Sequence, residues 1–424
     1  MNILSFLPII IIASGFYLLI KLRFFFIIHP IRTFGLLKKS VAKKGALSAL
    51  CLSLAGTLGV GNIVGVAFGI SVGGAGSVFW LLISSVFSLV IKFSEATLSS
   101  DMKTSNSCGM TSLIEKSFCG RLKILAPIYA ALCLFLSLTM GSALQARAAV
   151  ESFAGSLNSY IIPAFLFAFL IAIAVLGGTE RIEKLTVFII PFATLLYIFL
   201  CVSVIIVNID KLPEVFKSII SDAFSADSAL GGIGGGFLIT KMREGFSRGL
   251  LSNEAGAGTS AFAHTRNADE SPVSVGIVGM CEVFFDTVVL CMLTAVCVLI
   301  AVPNPENYSS GIEIIKDALR ILGSYSLPLL SISVFAFAYS TVICWYYYGR
   351  CALQYLSLRG KKTFAFVFVL SVFSGALLQS GYLILISDYV LFFLTLISLA
   401  TVIKNSDRLI FLSEKYELLQ KTNS

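Results

Sequence analysis

The chain has 424 residues, of which 57% are hydrophobic and 13% charged, and its mean hydropathy is +0.93. A soluble domain cannot carry that composition, so the sequence reads as an all-α polytopic membrane protein whose spans satisfy their own backbone groups inside the bilayer. The formal net charge of +8 would suit nucleic acid only if the charges were gathered on one surface, and their placement along the chain argues otherwise.

A span needs about 20 apolar residues. Hydrophobic segments of suitable length fall at 3–20, 46–72, 75–98, 124–150, 160–177, 185–207, 218–240, 272–302, 325–348, 363–383 and 385–403, about 11 spans in all. The first has no basic residues ahead of it and is followed by Lys21 and Arg23, so it reads as a retained helix and not a cleaved signal. With the N-terminus outside, 25 of the 31 Lys and Arg fall in cytoplasmic segments and five (Arg147, Lys211, Lys217, Lys316, Arg320) outside, with Lys92 inside a span. This excess places the C-terminus in the cytoplasm and makes the chain a multi-pass protein of the cell membrane. The basic residues are then a topology signal, and no nucleic-acid partner is expected. The cysteines lie mostly within the spans, with Cys108 and Cys119 in a loop and no C-x-x-C pair, and read as reduced packing residues.

No linker divides the chain, so it forms one transmembrane domain. Setting aside the extra helix at 3–20, ten spans divide into five plus five, 46–207 and 218–403, followed by a cytoplasmic tail at 404–424. Each half opens with a glycine-interrupted stretch, "AGTLGVGNIVG" (Ala55–Gly65) and "ALGGIGGGFLIT" (Ala229–Thr240). Glycine costs about 1 kcal/mol relative to alanine in a helix interior, and under the charge-derived topology the two stretches enter from opposite sides. That arrangement suits an inverted repeat with two discontinuous helices; the plainer alternative is close helix packing through small residues. An unwound segment offers backbone groups and two half-helix ends to one cavity, which can hold a zwitterion and a cation together. Gly59, Val60, Gly61, Asn62, Gly234 and Gly235 are therefore candidates to line a substrate site.

Asp286 sits near the middle of the 272–302 span, where an ionised carboxylate costs about 2.5–3.5 kcal/mol on insertion scales. Glu282, four residues earlier, shares its helix face about 6 Å away along the axis, and no Lys or Arg lies in that span. The pair reads either as a cation- or ammonium-facing site or as protonated acids bonded to backbone and hydroxyl groups. Lys92 and Glu95, near the cytoplasmic end of their span, are expected to snorkel or pair with each other. Asn253 and Glu254 fall past the second interruption, where capping or gating both fit. His29 and His264 lie in expected loops with nothing to mark them as ligands. The sequence holds no P-loop, H-E-x-x-H or G-x-S-x-G pattern, so ATP use and hydrolase chemistry have no support and no enzyme is expected.

Three blocks carry a resemblance: "GTLGVGNIVGVAFGISVGGAGSVFW" with "KFSEA" (56–96), "SRGLLSNEAGAGTSAFAH" with "PVSVGIVGMCEVFFDT" (247–287), and "FAYSTVICWYYYGRCALQYL" (337–356). In these the chain resembles the alanine or glycine:cation symporter family over residues 45–356. It departs from the family's usual pattern at Ser48, Val60, Leu81, Leu82, Ser142 and Glu282, the last standing where the family is normally uncharged. The resemblance implies a leucine-transporter-type fold that imports a small neutral amino acid with co-transported sodium. It also implies that Gln145 helps bind substrate and that Trp345 walls the pocket, although a Trp near a helix end also serves as an interfacial anchor. Ser340 and Thr341 resemble the sodium-binding pair of this fold, completed by the carbonyls of Ala55 and Leu58. A carrier for protons or another solute is the same-class alternative; a passive channel or membrane scaffold is the rival from another class.

Overall fold

The computed structural model describes residues 3–422 apart from 43–44, 105–108, 154–159, 226–233, 267–270, 359 and 379. Every regular element among these residues is a helix. Six helices are long and apolar enough to cross a membrane: Gly76–Asp101, Gly120–Phe153, Gly178–Val207, Pro272–Ala301, Ser326–Tyr355 and Leu385–Lys404. A seventh span is formed if Ala46–Thr57 and Val60–Gly73, which meet at 61°, are taken as one broken helix. Leu7–Lys21 and Ile161–Leu176 are shorter apolar helices.

Polarity is arranged for a hydrocarbon solvent. Ile162, Leu176, Phe188 and Leu195 are 68–79% exposed, while Lys92, Glu95, Glu254, Glu282 and Asp286 are at most 1% exposed. Apolar side chains that water would drive inward can face lipid, and the charged groups that lipid cannot solvate are gathered between helices.

The bend at Ala46–Thr57 follows from its backbone hydrogen bonds. Beyond Leu58, whose N still donates to Leu54 O (2.6 Å), the amides stop reaching back four residues: Gly59 N donates to Thr57 O (2.8 Å) and to Asn62 Oδ1 (3.2 Å), while Val60 N donates to Gln145 Oε1 (3.0 Å). The helical donors that would serve the carbonyls of Ala55 and Gly56 are thus turned elsewhere, as expected for this glycine-rich stretch.

Of the glycine-rich stretch "ALGGIGGGFLIT", Ala229–Ile233 lie outside the described residues; the helix Leu212–Ala223 precedes it, and from Gly234 onward the backbone is helical to Asn253. The second interruption among the described residues is at 254–260, where Glu254, Gly256 and Gly258 take φ of +53°, +96° and +73°, before the short helix Ala261–His264. Three positive φ values in five residues, two of them on glycine, turn the chain here. Asn253 supports the turn by accepting from Ala255 N (2.9 Å).

The Gly234–Asn253 helix also carries basic residues. Lys241 pairs with Asp222 (2.5 Å), whose carboxylate accepts from Gly76 N (2.6 Å), and Arg248 lies against Gly69. Lys241, Arg243 and Arg248, counted with a cytoplasmic segment from the sequence, thus lie on the Gly234–Asn253 helix.

Candidate functional site

The first interruption faces the Ser326–Tyr355 helix and the Gln145–Phe153 helix. Thr341 Oγ1 donates to Leu58 O (3.3 Å), and Gln145 bonds to Val60 N from the other side. Gly59 is extended here, so its value is room and not a left-handed φ. A Cβ at Gly59 would lie 2.9 Å from Gln145 Oε1 and 3.0 Å from Thr341 Oγ1, whereas one at Gly61 meets nothing nearer than Leu251 O at 3.7 Å. Leu58, Gly59, Val60, Gln145 and Thr341 are thereby brought together as one polar cluster of carbonyl, hydroxyl and amide oxygens, hard donors that suit an alkali cation better than a soft metal.

Ser340 and Ala55 contribute less directly. The Ser340 hydroxyl donates within its own helix to Ala336 O (3.0 Å) and Phe337 O (2.9 Å), which leaves its lone pairs as acceptors. Ala55 is fully buried, with its carbonyl at the point where the helical bonding pattern fails.

Asp286 is where three elements meet. Its Oδ1 accepts from Asn62 Nδ2 (2.6 Å), and its Oδ2 accepts from Ser252 Oγ (2.6 Å) and Thr287 Oγ1 (2.8 Å). Asn62 Nδ2 also reaches Asp286 O (3.3 Å), and Asn253 Nδ2 donates to Thr287 Oγ1 (2.9 Å). One carboxylate therefore ties the first interruption to the end of the Gly234–Asn253 helix, using neutral donors throughout. Of the two sequence readings, the geometry matches the carboxyl bonded to hydroxyl and amide groups. Asp286 touches Asn62 directly and no basic side chain.

Glu282 goes elsewhere. The helix takes a wider π turn over Phe284–Cys291, so the two carboxylates do not share partners as regular i, i+4 spacing implies. Glu282 Oε1 pairs with Lys92 Nζ at 3.3 Å and its Oε2 with His264 Nε2 at 2.6 Å, all three side chains at most 1% exposed. Lys92 accordingly neither snorkels nor bonds to Glu95, whose Oε1 accepts from Ser398 Oγ (2.8 Å). The basic partner missing from the 272–302 span arrives from another helix.

Trp345 is fully buried, which removes the interfacial-anchor reading. Its indole lies against Gly141, where a Cβ would come within 2.2 Å of the ring. This glycine belongs to a second π turn, Met140–Leu144, directly before Gln145, so Trp345 packs on the segment that presents Gln145. Gly234 and Gly235 open their helix. A separate cavity of about 190 Å³, lined in part by Leu4, Arg243, Glu244, Arg248, Leu251 and Asp388, reaches Leu251, whose carbonyl is beside Gly61.

Sequence reasoning did not single out Ser252, Thr287 or His264 as site partners. Ser252 and Thr287 are single hydroxyls in apolar or polar-mixed runs, without a spacing that signals a contact. The His264 contact depends on the 254–260 turn, which was not read as a break from the sequence.

The model of the sodium:alanine symporter family matches residues 1–424. An uncharacterized transporter of Haemophilus influenzae is 30% identical over 399 residues, 90% of this chain and 87% of that protein. The sodium/alanine symporter AgcS of Methanococcus maripaludis is 31% identical over 343 residues, 77% of this chain and 74% of its own length. A sodium/proton-dependent alanine carrier protein of Bacillus sp. strain PS3 is 30% identical over 362 residues, 80% and 79% of the two chains. A multi-pass, all-helical protein with buried polar interruptions and a family match along its whole length, the chain belongs to the sodium:alanine symporter family and is a transporter of amino acids with a cation, not an enzyme.

Proposed function

We propose that the protein couples inward sodium flow to uptake of a small neutral amino acid, alanine or glycine, by alternating access. The observation that carries this reading is the first interruption, where Leu58 O, Thr341 Oγ1, Val60 N and Gln145 Oε1 converge on Gly59. Sodium is held by the carbonyls of Ala55 and Leu58 and the hydroxyls of Ser340 and Thr341. The amino acid binds against Gly59, Val60, Gly61 and Asn62, between Gln145 and Trp345, and close association lets each ligand favour the other. Asp286 acts as a positioning residue that fixes Asn62 and, through Ser252, the second interruption. Gly234 and Gly235, at the start of the helix after the second glycine-rich stretch, are candidates to line the same site.

The topology that accompanies this function is eleven spans, an extra helix and two opposed sets of five, with the N-terminus outside. The cavity at Arg243, Glu244, Arg248 and Asp388 is then the outward approach, ending at Leu251 beside Gly61. The driving force suffices: one charge crossing about 100 mV yields about 2.3 kcal/mol, and a tenfold sodium gradient adds about 1.4 kcal/mol, together a few hundredfold accumulation. Counterflow in proteoliposomes with a panel of labelled amino acids tests the reading. Exchange of alanine or glycine that requires sodium supports it; exchange indifferent to sodium, or confined to other solutes, overturns it.

A further inference from the structure

We propose that His264, Glu282 and Lys92 form a proton-binding centre, separate from the first interruption, that links transport to protons. The inference rests on the transport reading only for this link; the proton site itself stands on geometry. Lys92 Nζ lies 3.3 Å from Glu282 Oε1 and donates to Ser260 Oγ at 2.8 Å. On the other carboxylate oxygen sits His264 Nε2, at 2.6 Å. A carboxylate paired with Lys92 accepts, so the imidazole proton belongs on Nε2. His264 Nδ1 is then a bare acceptor, buried and without a hydrogen-bond partner. A proton can add there, with the Nε2–H still held by Glu282 and no existing bond broken.

The groups around the imidazole come from several elements. The Gly76–Asp101 helix contributes Lys92 and Glu95, and the 254–260 turn contributes Glu254, whose carboxylate accepts from Thr259. The Pro272–Val283 helix contributes Cys281 and Glu282, and Asp286 follows one turn on. From Ser326–Tyr355 come Cys344, Tyr347, bonded to Phe262 O (3.2 Å), and Tyr348. Tyr129, bonded to Ala257 O (2.6 Å), and Cys133 lie on Leu125–Leu138, and Cys51 on Ala46–Thr57. Glu115 and Lys116 of Gly109–Ser117 are exposed and face away. The near group is thus one lysine against the carboxyls of Glu95, Glu254 and Glu282, all at most 1% exposed. Unpaired buried charge costs several kcal/mol, so a cluster with more carboxyls than cations retains protons. Ser260 ends the 254–260 turn and His264 lies on the short helix that follows it; that turn begins directly after Ser252 and Asn253, which hold Asp286 and Thr287. A proton arriving at His264 therefore acts on the segment that the candidate substrate site leans on.

The chain contains two histidines, so the full-length His29→Gln variant leaves His264 as the single imidazole. Nitrogen-15 spectra of this variant in nanodiscs, recorded from about pH 9 to about pH 5, are expected to show a proton added at Nδ1 on acidification. A ring nitrogen that stays bare across that range overturns the proposal, whatever the transport result. The second measurement uses the reconstituted full chain with a pH dye inside the liposomes. Sodium-driven alanine uptake in the wild type should be accompanied by proton movement, with a rate that changes by up to about tenfold per pH unit for one linked proton. His264→Gln keeps a donor toward Glu282 but cannot titrate, and is expected to transport alanine with a flat profile and no proton movement. The double variant Lys92→Met with Glu282→Gln, which removes the charge pair without stranding either member, should also lose the proton movement. Equal proton movement in wild type and His264→Gln would overturn the link. Failure of alanine uptake in every sample would instead count against the transport reading, with the nitrogen spectra still deciding the proton site.

Discussion

Asp286 and Glu282 lie four residues apart on one helix and are equally buried, yet they are held by opposite chemistry. Asp286 accepts from an amide and two hydroxyls, and those donors come from segments that the chain has unwound or is about to unwind. Glu282 is held by a lysine and an imidazole, on elements that keep helical geometry up to the contact. Neutral donors fix positions with modest energy each, about 0.5–3 kcal/mol depending on whether the acceptor is charged, which suits a site that has to rearrange. An ion pair in the same low-dielectric interior is worth little as a pair but is severe to break. The difference teaches that carboxylate spacing in a membrane helix does not by itself identify a cation site; the partners arriving from other helices do.

The sharpest way to break the comparison is to remove one member of the charged pair. Lys92→Met should destabilise the folded protein in detergent by about 3–5 kcal/mol, because Glu282 is left buried against His264 alone. Adding Glu282→Gln should restore most of that loss, as replaced buried pairs are often close to neutral. A single variant as stable as the double, measured by unfolding in denaturant, would show that the pair is not ionic.

At Asp286 the expected effect is smaller in stability and larger in function. Asp286→Asn sets an amide N–H₂ against either Asn62 or Ser252, both of which donate, for a loss of about 1–3 kcal/mol. Alanine uptake should fall by more than tenfold, since Asn62 and the second interruption lose their common anchor. Uptake at wild-type rates from Asp286→Asn would remove the positioning role.

The smallest expected effect separates two glycines of one motif. Gly59→Ala places a methyl at 2.9–3.0 Å from Gln145 and Thr341, whereas at Gly61 the nearest atom is at 3.7 Å. The first should weaken alanine binding about tenfold, equivalent to about 1.4 kcal/mol, and the second should change it by less than about twofold. Equal effects would return both glycines to a packing role. Gly61→Leu remains a larger insult, because a long side chain reaches beyond the space that a methyl fills.

Much of this was legible in the chain. Nine of the eleven hydrophobic segments coincide with apolar helices or, at 46–72, with the bent pair, since long apolar runs leave little choice of structure. The first interruption was visible because glycines and a polar residue, Asn62, fall together inside such a run. Of the second expected interruption, Ala229–Ile233 lie outside the described residues. The break at "SNEAGAG" was not read from the sequence; there left-handed conformations at Glu254, Gly256 and Gly258 are secured by Asn253 and Thr259. Lys241, Arg243 and Arg248, counted with a cytoplasmic segment, lie on the Gly234–Asn253 helix. Pairings across helices, such as Lys92 with Glu282 or Ser252 with Asp286, have no signature in one sequence because the partners are 190 and 34 residues apart.

The claim that sodium and the amino acid share the first interruption is tested most directly by the sodium dependence of alanine uptake in Ser340→Ala with Thr341→Ala. Both hydroxyls are buried, and Thr341 is the one that touches Leu58 O. The account predicts that the sodium concentration for half-maximal uptake rises about tenfold or more, a change of at least about 1.4 kcal/mol, while alanine affinity at saturating sodium shifts far less. An unchanged sodium dependence in the double variant, or alanine uptake driven by a proton gradient with sodium absent, would contradict it.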